Sequence, residues 1–184
     1  MTTNCTVGSA MESRPLTGLE RAKMRALRNG IYHTIRRSHY ERIDRCLMFL
    51  IIMLGTGVMA SVADAFYLGT ATAVLGSIQL VWAPGSRARD HAVLQGKFYA
   101  LLAQSENARR IDPEELAVQI EDELARLYSD ETTTMHAVNA LAYNAAQLAN
   151  GRPPEYSLEI SWGARLFANI IPFSADKFKP TMSA

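Results

Sequence analysis

The sequence predicts an all-α fold: a two-helix transmembrane hairpin preceded by a basic helix and followed by a cytosolic helical domain. Three observations carry this expectation. Residues 46–83 (CLMFLIIMLGTGVMASVADAFYLGTATAVLGSIQLVWA) form one apolar block of 38 residues whose only charge is Asp64, close to its centre. Arginines crowd both sides of the block and are absent from its middle. Elsewhere, apolar residues recur at steps of three and four and do not alternate, which is the helical period.

A single straight helix through the block would run roughly 57 Å, nearly twice a bilayer core of about 30 Å. Folded back at Asp64, it gives two spans of ordinary length, Cys46–Ala63 and Ala65–Ala83. The competing reading is a buried hairpin in a soluble protein. Both segments are apolar all round, and soluble buried helices seldom run so long without a polar face. Before the first span lie Arg36, Arg37, Arg42 and Arg45; after the second come Arg87, Arg89 and Lys97. The positive-inside rule then puts both termini in the cytoplasm and the turn at Asp64 outside, where its charge escapes the bilayer. The six arginines of these flanks are the expected lipid-headgroup contacts.

Residues 1–16, which mix Thr, Ser, Gly and Pro without periodicity, read as a flexible tail. No apolar run follows a basic start there, so targeting is expected to come from the spans and not from a cleavable leader. Residues 17–45 form a basic amphipathic juxtamembrane helix, with Thr17 and Glu20 spaced as a capping box and Gly30 a weak point midway. Residues 86–175 form the cytosolic helical domain, and 176–184 a tail. Pro84 and Gly85 break the chain after the second span, and Ser86 is placed to cap a helix over 87–109. Asp112 and Pro113 read as a helix start, followed by Leu116, Ile120, Leu124 and Leu127. A helix over 133–150 offers Met135, Val138, Ala142, Ala145 and Leu148 as a packing seam and stops at Gly151. The segment 161–171, with Trp162, Leu166, Phe167, Ile170 and Ile171, reads either as an interfacial anchor or as the closing helix of the domain core.

The formal net charge of +1 hides a polar distribution. Residues 14–45 hold nine Lys or Arg and three acids, whereas 106–159 hold eleven acids and four Arg. Such a basic arm suits anionic headgroups or the acidic part of the same or a neighbouring chain, unless both are simply solvated faces. Nucleic acid is the more distant polyanion and is not expected as a partner. The two cysteines, Cys5 and Cys46, have no paired spacing. There is no phosphate-binding loop, no dinucleotide fingerprint and no His pair at metal-ligand spacing among His33, His39, His91 and His136. The acids Glu114, Glu115, Glu121, Asp122 and Glu123 read as a salt-bridged surface. Neither catalysis nor a cofactor, metal or small-molecule substrate is expected.

The spans offer small and polar residues instead. Ala65, Gly69, Ala73 and Ser77 recur every four residues, and Gly57 with Ser61 makes a similar step in the first span; these are the candidate helix-packing positions. Thr72, Gly76 and Gln79 occupy another side. They read as hydrogen-bonded packing or as the lining of a pore, which two spans can enclose only in an oligomer.

The layout resembles the SLATT family, the two-span effector domains of bacterial conflict systems. The stretch HYERIDRCLMFLIIMLGTG (His39–Gly57) resembles that family's entry into its first span, and ARLYSDETTTMHAVNALAYNAAQLANG (Ala125–Gly151) resembles a tail of bacterial and prophage members. Those tails carry a Pro pair after the acids and a His before the Asn, where this chain has Thr132, Thr133 and Tyr143. The resemblance covers roughly Thr17–Phe173. It implies an oligomeric inner-membrane effector that forms a pore or disrupts the membrane in antiviral defence, triggered through a separate sensor protein. The rivals are a non-conducting membrane adaptor whose cytosolic helices dock a partner, and a phage holin, which the large cytosolic tail disfavours.

Overall fold

The computed structural model describes residues 16–59, 64–107, 111–129, 134–152 and 154–180. Their regular elements are helices: α1 (Gly18–Met59), α2 (Ala65–Trp82), α3 (Pro84–Asn107), α4 (Pro113–Ser129), α5 (His136–Ala149) and the short α6 (Trp162–Leu166). Two 3₁₀ turns, Pro154–Tyr156 and Ala175–Lys177, and one isolated antiparallel bridge between Leu158 and Pro180 complete the described chain. The expected tail at 1–16 lies outside these residues except for Leu16, as do 60–63 at the end of the first span and 181–184 of the C-terminal tail.

Local chemistry fixes several helix ends. At the start of α1 the Thr17 amide donates to Glu20 Oε2 at 2.8 Å and the Glu20 amide to Thr17 Oγ1 at 3.3 Å, a reciprocal capping box. From there α1 continues unbroken for 42 residues, about 63 Å at 1.5 Å per residue, so the basic helix and the first apolar segment are one element. Gly30 is accommodated and not a break, because the Tyr99 ring packs where its side chain would be, 3.1 Å from a Cβ built there. Asp64 caps α2 by accepting from the Phe66 amide at 2.9 Å. Asp112 caps α4 through the amides of Glu114 and Glu115, at 3.0 and 3.4 Å.

The join between α2 and α3 differs from expectation. Ser86 is not the cap, and the helix begins at Pro84 instead of Arg87. Ala83 adopts the left-handed conformation, with φ 44° and ψ 54°, and its amide closes α2 on the Gln79 carbonyl at 3.1 Å. Its own carbonyl then accepts from the amides of Ser86 and Arg87, at 3.0 and 3.2 Å. One residue therefore ends one helix and opens the next, and Pro84 suits the first position because no amide partner is needed there.

The chain divides into two compact units, His33–Leu94 and the remainder, so α1 and α3 contribute to both. In the larger unit, the first part of α1, the later part of α3, α4 and α5 share a core that includes Ala22, Ala26, Phe98, Leu116, Ile120, Leu124 and Val138. Asn29 Nδ2 donates to the Tyr128 hydroxyl at 2.7 Å, and the Tyr32 hydroxyl accepts the Met135 amide at 3.1 Å at the start of α5. Arg25 meets Glu121 at 2.7 Å, one place where the basic arm pairs with the acidic segment of its own chain. The predicted stripe Leu116, Ile120, Leu124 and Leu127 is buried throughout.

The seam expected on α5 shifts towards its C-terminal half. Met135, Val138 and Ala142 are buried, but Ala145 is exposed and Leu148 is 77% exposed; Ala146 and Gln147 take the inward places. Burial at 138, 142 and 146 keeps steps of four along a nearly straight helix, whereas the expected steps of three carry 145 and 148 around the axis. Gly151, at φ 67°, then closes the helix: its amide donates to the Leu148 carbonyl at 3.0 Å and that of Arg152 to Gln147 at 3.1 Å, the two bonds of a Schellman motif. Because a Cβ disfavours this conformation, Gly151→Ala is expected to lower stability by about 1 kcal/mol, read as a fall in the thermal unfolding midpoint of the detergent-solubilised protein.

Candidate functional site: an apolar hairpin with a polar seam

In the smaller unit the C-terminal part of α1 and α2 run antiparallel. The Leu68 Cδ1 methyl lies 3.4 Å from a Cβ built on Gly57, while at the other end Asp44 meets Gln79. No residue of α2 is buried, and Phe66 and Tyr67 are 73% and 70% exposed, Leu80 and Val81 81% and 85%. On α1, Phe49 and Ile52 are each 62% exposed. One helical run, Ala65–Asn107, is long and apolar enough to cross a membrane, and its most apolar stretch is unburied.

The seam between α1 and α2 takes side chains assigned from sequence to a candidate pore lining. Gln79 Nε2 donates to Asp44 Oδ1 at 2.6 Å. Thr72 is half-buried and its hydroxyl donates to the Leu68 carbonyl at 2.9 Å. Gly76 is half-buried, with open space where a Cβ would stand. Conversely, the candidate packing positions Ala65, Gly69, Ala73 and Ser77 are exposed within the single chain, and of the first-span pair Gly57 faces α2 while Ser61 lies outside the described residues. The reason for the exchange is local: a carboxamide inside an apolar pair needs a partner, and Asp44 supplies one. Asp44 also stands at the start of α3, where its Oδ1 would be 3.0 Å from a Cβ on Gly85, so the carboxylate sits by the positive end of that helix.

Below this seam lies a cationic and aromatic cluster that sequence spacing does not reveal. His33, 1% exposed, brings its Nδ1 to 2.9 Å from Nδ1 of His91, so one ring donates and the other accepts. The Tyr40 ring stacks on His91 with centroids 5.6 Å apart. The Arg36 guanidinium lies 4.8 Å from the Tyr40 ring centroid and donates to its hydroxyl at 2.7 Å, and that of Arg87 lies at 6.0 Å. Arg36 is 7% exposed and therefore turned inward, unlike the headgroup contact expected of it. Arg42, Arg45, Arg87 and Arg89 are exposed. Arg37 is half-buried and pairs with Glu41 at 2.7 Å; Arg45 approaches the same carboxylate at 3.5 Å. That hydrogen bond from Arg37 holds the Glu41 carboxyl below its ordinary range.

Burial, then the neighbouring His33 and Arg36, push the His91 imidazole down to about 4. Burial with Arg36 and Arg42 lowers His39 in the same direction. No group of three or more His, Cys, Asp or Glu among the described residues is arranged to hold a metal ion. Among the described residues the regular elements are helical, and one helical run is long and apolar enough to cross a bilayer. Comparison with family models, curated proteins and solved structures finds no match.

Two outcomes follow from this geometry. Gln79→Leu removes the Nε2 donor to the Asp44 carboxylate and is expected to cost about 1–3 kcal/mol, measured by denaturant unfolding in micelles; Gln79→Glu adds like charge and is expected to cost at least as much. For His91, the ordinary value of 6.5 applies once unfolded, so between pH 6.5 and about 4 the unfolded chain binds more protons. Its contribution to stability is full above pH 6.5 and is lost as the pH falls towards 4, so the unfolding midpoint of wild type is expected to drop more steeply over that window than that of His91→Gln.

Proposed function

We propose that this chain is a membrane-anchored adaptor: α1 and α2 form a hairpin in a bacterial inner membrane, and the helical unit outside the bilayer receives a protein partner. The observation that carries the reading is the direction of polar groups. Every hydroxyl of α2 that is threonine or serine bonds back to its own helix, Thr70 to Phe66, Thr72 to Leu68 and Ser77 to Ala73, and the Gln79 Nε2 donates to Asp44, while its buried Oε1 has no partner within the chain. The outward surface is apolar and wants lipid, not a water-filled lumen. The exposed Arg42, Arg45, Arg87 and Arg89 at one end of the hairpin support a cytoplasmic location for both termini.

The second reading is the oligomeric pore-forming or membrane-disrupting effector implied by the resemblance to the SLATT family. The exposed small-residue side Ala65, Gly69, Ala73 and Ser77 favours it, since such a side lets a second hairpin approach closely.

Topology and conductance test the two. In a Cys5→Ser background, Cys46 is expected to react with an impermeant maleimide in inverted vesicles and not in intact spheroplasts, and a cysteine introduced at Tyr67 to show the opposite pattern. Release of the protein from membranes by alkaline carbonate would overturn both readings. Dye efflux or a conductance step from reconstituted protein would replace the adaptor by the effector; intact vesicles, with partner recruitment retained, are expected of the adaptor.

A further inference from the structure

The C-terminal segment of the larger unit is built with its polarity inverted. In a water-facing helix the large apolar side chains turn inward. Here Ala164 and Ala168 turn inward, 6% and 1% exposed, and Ala164 packs with Ile160 and Ala140 in a small core against which the partly buried Phe173 also rests. Trp162 is 78% exposed, Leu166 58%, Phe167 42%, Ile170 64% and Ile171 44%. The segment is nonetheless held firmly. Ser161 Oγ caps α6 by accepting the Ala164 amide at 3.3 Å, and the amides of Ile170 and Ile171 both donate to the Phe167 carbonyl at 3.0 Å, folding the two isoleucines back beside the phenylalanine. A fixed, outward apolar surface of this size needs a cover.

Charge selects the cover. Between Ile160 and Ala175 the only charged residue is Arg165, which sits between Trp162 and Leu166 on the same helix. An open pocket beside it is lined by Ser157, Ser161, Arg165 and Lys177, with Glu159 the one acid, and the Lys177 ammonium lies 5.6 Å from the Phe173 ring centroid. Apolar side chains with a tryptophan, bordered by an arginine and a lysine and free of acids at the centre, match the boundary between acyl chains and anionic headgroups.

We infer that residues 161–173 form a second membrane contact: Trp162, Leu166, Phe167, Ile170 and Ile171 enter the interface of an anionic bilayer while Arg165 and Lys177 meet its phosphates. This rests on the membrane reading of the hairpin.

Trp82 and Trp162 are the two tryptophans of the chain, so each can be made the sole reporter. Full-length Trp82→Phe and Trp162→Phe proteins are reconstituted into phosphatidylcholine vesicles with and without phosphatidylglycerol, carrying lipids brominated at shallow or deep acyl positions. In Trp82→Phe the emission of Trp162 is expected to shift to the blue and to be quenched most by shallow bromines, only when phosphatidylglycerol is present. Adding Arg165→Gln with Lys177→Gln is expected to abolish most of that shift, and Leu166→Asp with Ile170→Asp all of it. Quenching of Trp162 by aqueous acrylamide and not by bromolipid, while Trp82 in the other variant is quenched by bromolipid, would overturn this contact and leave the hairpin standing. Trp162 shielded from both quenchers would mean a second copy covers the patch, which also overturns it, as would equal quenching in vesicles without phosphatidylglycerol. Failure of bromolipid to reach Trp82 would bring down the hairpin reading as well.

Discussion

A helix of 18 residues with none of them buried needs an apolar cover that the single chain does not supply. Much of the smaller unit can be understood from that constraint. Where apolar surface faces outward, polar groups must be satisfied without water, because an unpaired amide or hydroxyl in hydrocarbon costs several kcal/mol. Hence Thr56, Thr70, Thr72 and Ser77 each donate to the carbonyl four residues earlier, and the one long amide of α2, Gln79, reaches 2.6 Å across to Asp44. Asp44 in turn lies where α1 leaves its basic stretch and enters its apolar one, so the pair marks the depth at which polarity changes.

The cluster beyond that boundary follows from the same need to place charge with care. Arg36 is buried with its guanidinium held over Tyr40, which returns a hydrogen bond and a π face for the lost water. His91 stands beside that cation, and burial, with His33 and Arg36 nearby, pushes its imidazole downward. The exposed arginines can therefore serve a surface while the buried one is engaged by Tyr40 of its own helix, whose ring stacks on His91 of α3.

What the sequence makes legible is the local part. The Thr17–Glu20 box, the Asp112–Pro113 start, the turn at Asp64 and the Gly151 stop each involve residues within a few positions, where side-chain length and backbone conformation decide the outcome. The all-helical class follows from the same periodicity. The long-range pairs are a different matter. Asp44 and Gln79 are 35 residues apart and His33 and His91 58, and nothing in spacing alone says which side of each helix meets the other. That is why spacing groups Thr72, Gly76 and Gln79 as one side of α2 and leaves packing and a pore lining both open, while the structure turns Gln79 towards α1. The signal available was Asp44 itself, an acid one turn before an apolar span with a lone carboxamide at the matching depth of the second. The inverted α6 was half legible: its apolar residues stand out, but their outward direction depends on Ala164 and Ala168 winning the inward places.

The position of Gln79 also ranks the functional readings. Anchoring asks nothing of the hairpin beyond the arrangement described, since the hydroxyls of Thr70, Thr72 and Ser77 and the Gln79 Nε2 already have partners and the outward surface suits acyl chains. A lumen lined by Thr72 and Gln79 asks every hairpin of a ring to rotate α2 away from α1, breaking a hydrogen bond to a charged group worth about 1.5–3 kcal/mol in each copy. Hairpins associating through Ala65, Gly69, Ala73 and Ser77 leave that bond intact, so oligomerisation and conduction are separable steps. A trigger that opened such an assembly would need to bind the rotated state more tightly by the sum of those costs, because a ligand shifts an equilibrium only by its difference in affinity for the two states. The closed hairpin is thus a complete structure for an anchor and, for a pore, only a resting state that something else must pull open.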